Sequence, residues 1–145
     1  MVLLEEVNNK NYQECKKIKI SPKQEKYLPK GFVSLSDSLL NKEHRYESYL
    51  IYNEEVVVGF VLVQVDKKGE YFNILLIVID EQYQDKGFYK ETLLVSINYL
   101  ISQGAPKVGI SYPVGDAKLE ALYKSVGFVS TNVKKDGRAY MNYQN

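Results

Sequence analysis

The residues best suited to chemistry lie in Gln84-Asp85-Lys86-Gly87-Phe88-Tyr89-Lys90. This polar turn follows the apolar run Ile74-Leu75-Leu76-Ile77-Val78-Ile79 and opens an amphipathic segment. A helix that begins at such a turn leaves its first N–H groups without intrahelical acceptors, and those donors together with the helix dipole favour an anion. Lys86 and Lys90 add positive charge, and Gly87 lets a ligand approach the backbone with no Cβ in the way. A phosphate is the ligand this pattern suits. Strand, turn and helix with one glycine is also a common connection, so the anion site stands beside the plainer reading of a simple turn.

Other chemistries have little to work with. One cysteine and one histidine exclude an intramolecular disulfide and a Cys/His metal site, so no metal is expected. Cys15 reads as a small buried hydrophobe. A Ser-His-Asp or Cys-His hydrolase would rest on His44 alone, which sits in the charged, solvated stretch Lys42 to Glu47. Nineteen Lys and Arg against eighteen Asp and Glu leave no basic patch, which argues against nucleic acid as a partner. The first residues, with Glu5 and Glu6, make no signal peptide, and no apolar run approaches a membrane span. A soluble, cytoplasmic protein without membrane partners is expected. Its 145 residues suit a single domain, 1–145.

The elements that must position the turn follow from periodicity. Val2-Leu3-Leu4 opens a strand, and Asn8 or Asn9 caps a short helix over Asn11 to Lys17 with Tyr12, Cys15 and Ile18 inward. Ser21-Pro22-Lys23-Gln24 is a capping box with proline at the first helical position, starting a helix that ends near Pro29. A further helical piece is expected near Ser36 to Leu40, then a loop. From Tyr46 the pattern turns to strands: 48–52, the turn Asn53-Glu54, then 55–65 with Gly59 marking a bulge or a close backbone approach. Asp66-Lys67-Lys68-Gly69 returns the chain into the strand that ends at Ile79, completing a meander; its unbroken apolar run suits burial on both faces.

After Gly87 a helix places Phe88, Leu93, Leu94, Ile97, Leu100 and Ile101 inward and stops at Gly104. A short strand, Val108 to Ser111, then lies parallel to the one before the helix, through a right-handed crossover. Asp116 caps a helix to Val126 that packs Leu119, Leu122, Tyr123 and Val126, and Gly127 stops it. Two strands, near Phe128 to Val133 and Ala139 to Tyr143, flank the turn Lys134-Lys135-Asp136-Gly137.

Gln84-Asp85-Lys86-Gly87 after a buried strand, followed by Leu122-Tyr123-Lys124-Ser125-Val126-Gly127-Phe128, resembles the GNAT superfamily of acyl-CoA-dependent N-acyltransferases. The superfamily carries Gln/Arg-x-x-Gly-x-Gly/Ala at the first place and Leu-Tyr-x-x-x-Gly-Phe at the second, in this order. Ser21-Pro22-Lys23-Gln24, Val58-Gly59-Phe60 and Asp80 to Gln84 look like its spermine/spermidine, or diamine, acetyltransferase branch. The resemblance implies an α/β (α+β) fold: a mixed, mostly antiparallel central sheet with a splayed parallel strand pair and helices on both faces.

It further implies acetyl-CoA as cosubstrate and an acetyl group moved by direct attack to a primary amine of a small molecule, a polyamine for example. By this likeness the amides of Gln84, Asp85, Lys86, Gly87, Phe88, Tyr89 and Lys90 hold the pyrophosphate. The backbone of Ile77, Val78 and Ile79 pairs with the pantetheine arm, and Asp116 stands where an asparagine would touch the cofactor. Tyr123 matches the tyrosine that protonates the departing thiolate. The resemblance also allows a homodimer joined by terminal strands.

Besides Asp116, the pattern is departed from at two places. Tyr89 replaces the second glycine or alanine, and its side chain must point away if its amide is to face a phosphate. Leu75 and Leu76 stand where the branch has a charged pair, leaving Glu70, Tyr71 or Glu47 as candidates to take the amine's proton through water. These departures motivate an alternative, a catalytically silent CoA-binding or regulatory module. A third reading is an interaction domain whose exposed hairpin edge pairs with a partner.

Overall fold

The computed structural model describes residues 1–22 and 45–144. The helix expected to run from Pro22 toward Pro29, the piece near Ser36 to Leu40 and His44 therefore lie outside the described residues, apart from Ser21 and Pro22 at the first helix's start.

Among the described residues seven strands form one sheet in the order β1-β2-β3-β4-β5-β7-β6. They are β1 (Val2–Glu6), β2 (Tyr46–Asn53), β3 (Val56–Asp66), β4 (Tyr71–Ile79), β5 (Lys107–Pro113), β6 (Val129–Lys135) and β7 (Arg138–Gln144). The described helices are α1 (Gln13–Lys17), α2 (Phe88–Ser102) and α3 (Ala117–Ser125), with a single 3-10 turn at Glu81–Tyr83. Every neighbouring pair is antiparallel except β4 and β5, which run parallel. The expected fold class, with its meander, crossover and terminal hairpin, is the observed one.

Helices cover both faces. Leu93, Ile97 and Leu100 of α2 pack on Val61, Val63, Ile74, Ile77 and Ile79, while Cys15 and Ile18 pack on Leu50, Phe60, Leu62 and Val78 on the other side. Alternation along β3 and β4 divides these sets, because successive side chains of a strand point to opposite faces. Each fully buried aliphatic or aromatic side chain contributes about 1.5–3 kcal/mol. Cys15 is buried within the α1-side core and in no disulfide, as expected of a packing residue.

Two bulges reset the alternation along β3 and β4. Ile51 pairs with Gly59 but Tyr52 with Val57, so Val58 is the extra residue beside the glycine. A Cβ on Gly59 would overlap the Val78 carbonyl oxygen, so the glycine marks a bulge and a close approach together. On β4, Leu62 pairs with Leu76 and Val63 with Ile74, leaving Leu75 unpaired and 42% exposed. This corrects the expectation of a strand buried on both faces throughout: that holds for Ile77 to Ile79, whereas the bulge turns Leu75 to solvent. Leu94 is likewise 41% exposed rather than inward, because the α2 contact stripe runs through Leu93, Ile97 and Leu100 and leaves Leu94 on its outer margin.

Parallel pairing of β4 with β5 is confined to one register pair, Asn73 with Gly109. A Cβ at Gly109 would overlap the Asn73 side-chain oxygen, so the glycine permits this one contact. Beyond it the strands part, and from Ile74 to Ile79 the edge of β4 that faces β5 has no ladder partner among the described residues. The splayed pair is thereby present, and α2 and α3 begin just past its open end.

Candidate functional site

The turn after β4 is fixed by a buried carboxylate. Asp80 Oδ1 accepts from the Gln82 amide at 2.9 Å and Oδ2 from the Lys19 amide at 2.9 Å. The Glu81 amide donates back to the Lys19 carbonyl at 2.8 Å, and the Asp80 amide donates to Val58 O at 2.8 Å. Gln84 Nε2 then donates to Ile79 O at 3.2 Å and to Ser21 Oγ at 3.4 Å. The loop is thus tied at its base to the strand end and to the Lys19–Ser21 segment.

From this base the chain enters α2 through left-handed residues, Asp85 at φ 62 and Gly87 at φ 84. Gly87 is the helix N-cap with no side-chain cap, and nothing lies within 4 Å of where its Cβ would be. The first helical bond is Glu91 N–H to Gly87 O at 3.1 Å. The amides of Gln84, Asp85, Lys86, Gly87, Phe88, Tyr89 and Lys90 find no acceptor among the described residues. Lys86 and Lys90 are exposed beside them. Open donors, a helix N-terminus and a space that a side chain would fill are what an anion such as a pyrophosphate needs.

Tyr89 does turn away from this loop. Its hydroxyl lies 2.9 Å from the Tyr123 hydroxyl, so the side chain reaches from the first turn of α2 to the inner face of α3. Tyr123 is 3% exposed and sits edge-on or tilted between the rings of Tyr112 and Phe128, at centroid distances of 6.1 and 5.8 Å. Tyr123 therefore packs against the core and also presents a hydroxyl. Burial raises its pKa, while the Tyr89 hydrogen bond and the Arg138 charge act to lower it and Asp116 to raise it. Burial lifts Tyr89 further, and the Tyr123 hydroxyl and Asp116 push the same way.

Asp116 behaves as a cap: its Oδ1 accepts from the Leu119 amide at 3.1 Å. Ile77, Val78 and Ile79 are buried and lie on the β4 stretch whose β5-facing edge is unpaired. Phe88 is half-buried against Tyr83. A separate cleft of about 660 Å³, lined by Lys19, Ser21, Pro22, Glu81, Gln82 and Gln84, adjoins the base of the loop.

Arg138 is the residue that sequence reasoning missed. The first residue of β7, it donates from Nε to Ser111 Oγ at 2.8 Å and from Nη2 to Ser111 O at 3.1 Å. Its charge acts on both tyrosine hydroxyls. No sequence signal reveals it, because only the β5/β7 register brings Arg138 beside β5, opposite Pro113.

The candidate bases fare differently. Glu70 is an exposed turn residue at φ 58 and Tyr71 is also exposed, neither gathered into the cluster around Tyr123. Glu47 is enclosed: Tyr49 donates to its Oε1 at 2.7 Å, Tyr99 also bonds it, and the two hydroxyls lie 2.8 Å apart. Burial and the Glu47 carboxylate raise Tyr49 far above its ordinary value and push Tyr99 up to about 12. Through Val63, Glu47 aligns with Ile74 two strands away, roughly 10 Å across the sheet.

A model of the acetyltransferase (GNAT) family matches residues 9–128. The chain belongs to the GNAT family. It is accordingly an acetyltransferase, and its sheet with one parallel pair is the family's fold. No curated protein matches it at a significant level. Among solved structures, this GNAT chain is similar to a spermidine N-acetyltransferase SpeG chimera built from Vibrio cholerae and hSSAT, at TM-score 0.77 and 15% identity over 99% of this chain and 94% of that one. The PaiA N-acetyltransferase from Thermoplasma acidophilum in complex with coenzyme A gives TM-score 0.75 and 11% identity over 100% and 99%. A Bacillus subtilis acetyltransferase in complex with CoA gives 0.72 and 17% over 99% and 97%. Among the described residues no helix is long and apolar enough to cross a membrane.

Proposed function

We propose that the 145 residues act as one domain that transfers an acetyl group from acetyl-CoA to a primary amine of a small molecule. The observation that carries this is the single-rung splay between β4 and β5, with unpaired amides at one side of its open end and the Tyr123 hydroxyl buried beside it. The amides from Gln84 to Lys90 would hold the pyrophosphate, aided by Lys86 and Lys90, and the unpaired edge of Ile77 to Ile79 would take the extended arm as an added strand. Bound there, acetyl-CoA supplies an activated thioester. Asp116, which caps α3, would stand beside the bound cosubstrate.

Tyr123 gives its proton to the sulfur as the amine attacks directly, with no covalent enzyme intermediate. Its raised pKa keeps that proton in place at neutral pH. Spermidine is the first acceptor to test, because the similar Vibrio cholerae protein bears that name. The cleft beside Glu81 and Gln84 supplies one acidic side chain for such an amine. A homodimer and a cytoplasmic setting belong to the same reading.

Two measurements test it. Calorimetry should show saturable binding of acetyl-CoA, and absence of binding sinks the proposal at its first step. A thiol-release screen over polyamines, amino acids and aminoglycosides should find turnover, whereas binding with no release from any acceptor favours the silent module.

A further inference from the structure

The Tyr89–Tyr123 contact places two hydroxyl groups, each with one proton, at a single 2.9 Å oxygen–oxygen distance. Neither hydroxyl has another partner among the described residues. One proton therefore fills the contact, and the other is uncommitted. If Tyr123 donates, its proton is held by Tyr89; if Tyr89 donates, the Tyr123 proton is free for a ligand. The surroundings decide between the two once Tyr123 acts as an acid. Loss of its proton leaves a phenolate on a ring that is 3% exposed, where an unpaired charge is severely disfavoured. A hydroxyl already within hydrogen-bond distance can donate to that phenolate with no rearrangement, and the Arg138 guanidinium, held by Ser111, adds a fixed positive charge.

We propose that Tyr89 is a positioning residue that donates its hydroxyl hydrogen bond to Tyr123, leaving the Tyr123 proton available and stabilising the phenolate formed when that proton is given up. This rests on the acid role assigned to Tyr123 above. In the step, the acceptor nitrogen forms its C–N bond to the acetyl carbon and the thioester C–S bond breaks. The Tyr123 O–H bond breaks as the S–H bond of coenzyme A forms, and the phenolate keeps the electron pair and accepts the Tyr89 O–H. The acetylated nitrogen gives its surplus proton to solvent, which returns one to Tyr123 after product leaves. Tyr89 thus replaces a small residue at the helix start and gives a second phenol to the acid. The groups that face the pair are Arg138 from β7, which favours the phenolate, and the Asp116 carboxylate at the start of α3, which opposes it.

The test uses Tyr89→Phe, which removes only the hydroxyl, in the full chain with Tyr123→Phe and the double variant beside it. In ligand-free protein carrying 13Cζ-labelled tyrosine, the Tyr123 resonance, assigned by its disappearance in Tyr123→Phe, should move when Tyr89 becomes Phe, and its ionisation should begin at higher pH. With acetyl-CoA and the amine giving fastest thiol release, kcat of Tyr89→Phe should fall about tenfold, the order expected for a hydrogen bond to a charged group made in the transition state. KM for acetyl-CoA should stay within about twofold, and Tyr89→Phe should add no further loss in the Tyr123→Phe background. An unmoved Tyr123 resonance, a change confined to KM, or losses that multiply in the double variant overturns the proposal and leaves the acid role standing. Undiminished turnover in Tyr123→Phe instead removes the acid role, and the proposal with it.

Discussion

Helix α2 carries a tyrosine contact near each end, and the two differ in what they leave over. Near its C-terminal end, Tyr99 meets Tyr49 and Glu47, where a carboxylate accepts and both hydroxyl protons have a place to go. At its start, Tyr89 meets Tyr123 with no carboxylate in the contact, one proton uncommitted and a guanidinium near by. The first network lies where β2 and β3 are fully laddered, whereas the second borders strands that have parted. Buried hydroxyls alone therefore do not tell the two contacts apart; unmet hydrogen-bonding capacity next to a gap does.

Four changes test that contrast, the largest first. Tyr123→Phe should lower kcat by a factor of about 100 or more with acetyl-CoA affinity nearly unchanged, as expected for a lost general acid. Tyr99→Phe should leave kcat within about twofold, and equal losses in the two variants would erase the distinction. Glu47→Ala strips the acceptor from two hydroxyls and should destabilise the fold by about 1–3 kcal/mol in urea titration while sparing kcat. A loss of kcat with unchanged stability would return Glu47 to the role of base.

Gly87→Ala tests the loop itself. Space exists for the methyl group, but φ 84 is disfavoured for a residue with a Cβ by roughly 1–2 kcal/mol. KM for acetyl-CoA should rise about five- to tenfold with kcat little changed, and an unchanged KM would dissociate the loop from cosubstrate binding. The smallest effects concern pH. Because the Tyr123 pKa is raised, kcat should climb as the acceptor amine loses its proton and show no falling limb below about pH 10. Tyr99, pushed up to about 12 in the folded chain, gives up its proton more readily when unfolded. Its stabilisation is complete below about pH 10 and fades as pH rises toward 12, and Tyr99→Phe should flatten that decline in thermal melts.

Local patterns made much of this fold legible. Alternation marked β2 and β3, helical spacing marked α2 and α3, and Asp116 and Gly87 stand at helix starts as their chemistry suggested. The turn with its open amides was legible for the same reason: those donors belong to consecutive residues. Leu75 escaped because a bulge is set by the register against Leu62 and Val63, which an apolar run cannot reveal. Tyr89 read as a departure because its partner is on another helix, and Arg138 was silent because its place depends on the pairing of β5 with β7. Contacts that join distant elements depend on register and helix placement, and no short window of sequence encodes them.

The lone rung between Asn73 and Gly109 has a mechanical consequence. Strands β1 to β4 form one ladder and β5 to β7 another, and among the described residues no strand pairing joins the two between Asn73 and the open end. The two plates are held together there by α2, α3 and their side chains. An extended guest that bonds along the bare edge of β4 would act as a splint. Amides flanking the opening should then exchange with deuterium slowly, and the two plates should melt as one cooperative unit rather than loosening first along the seam.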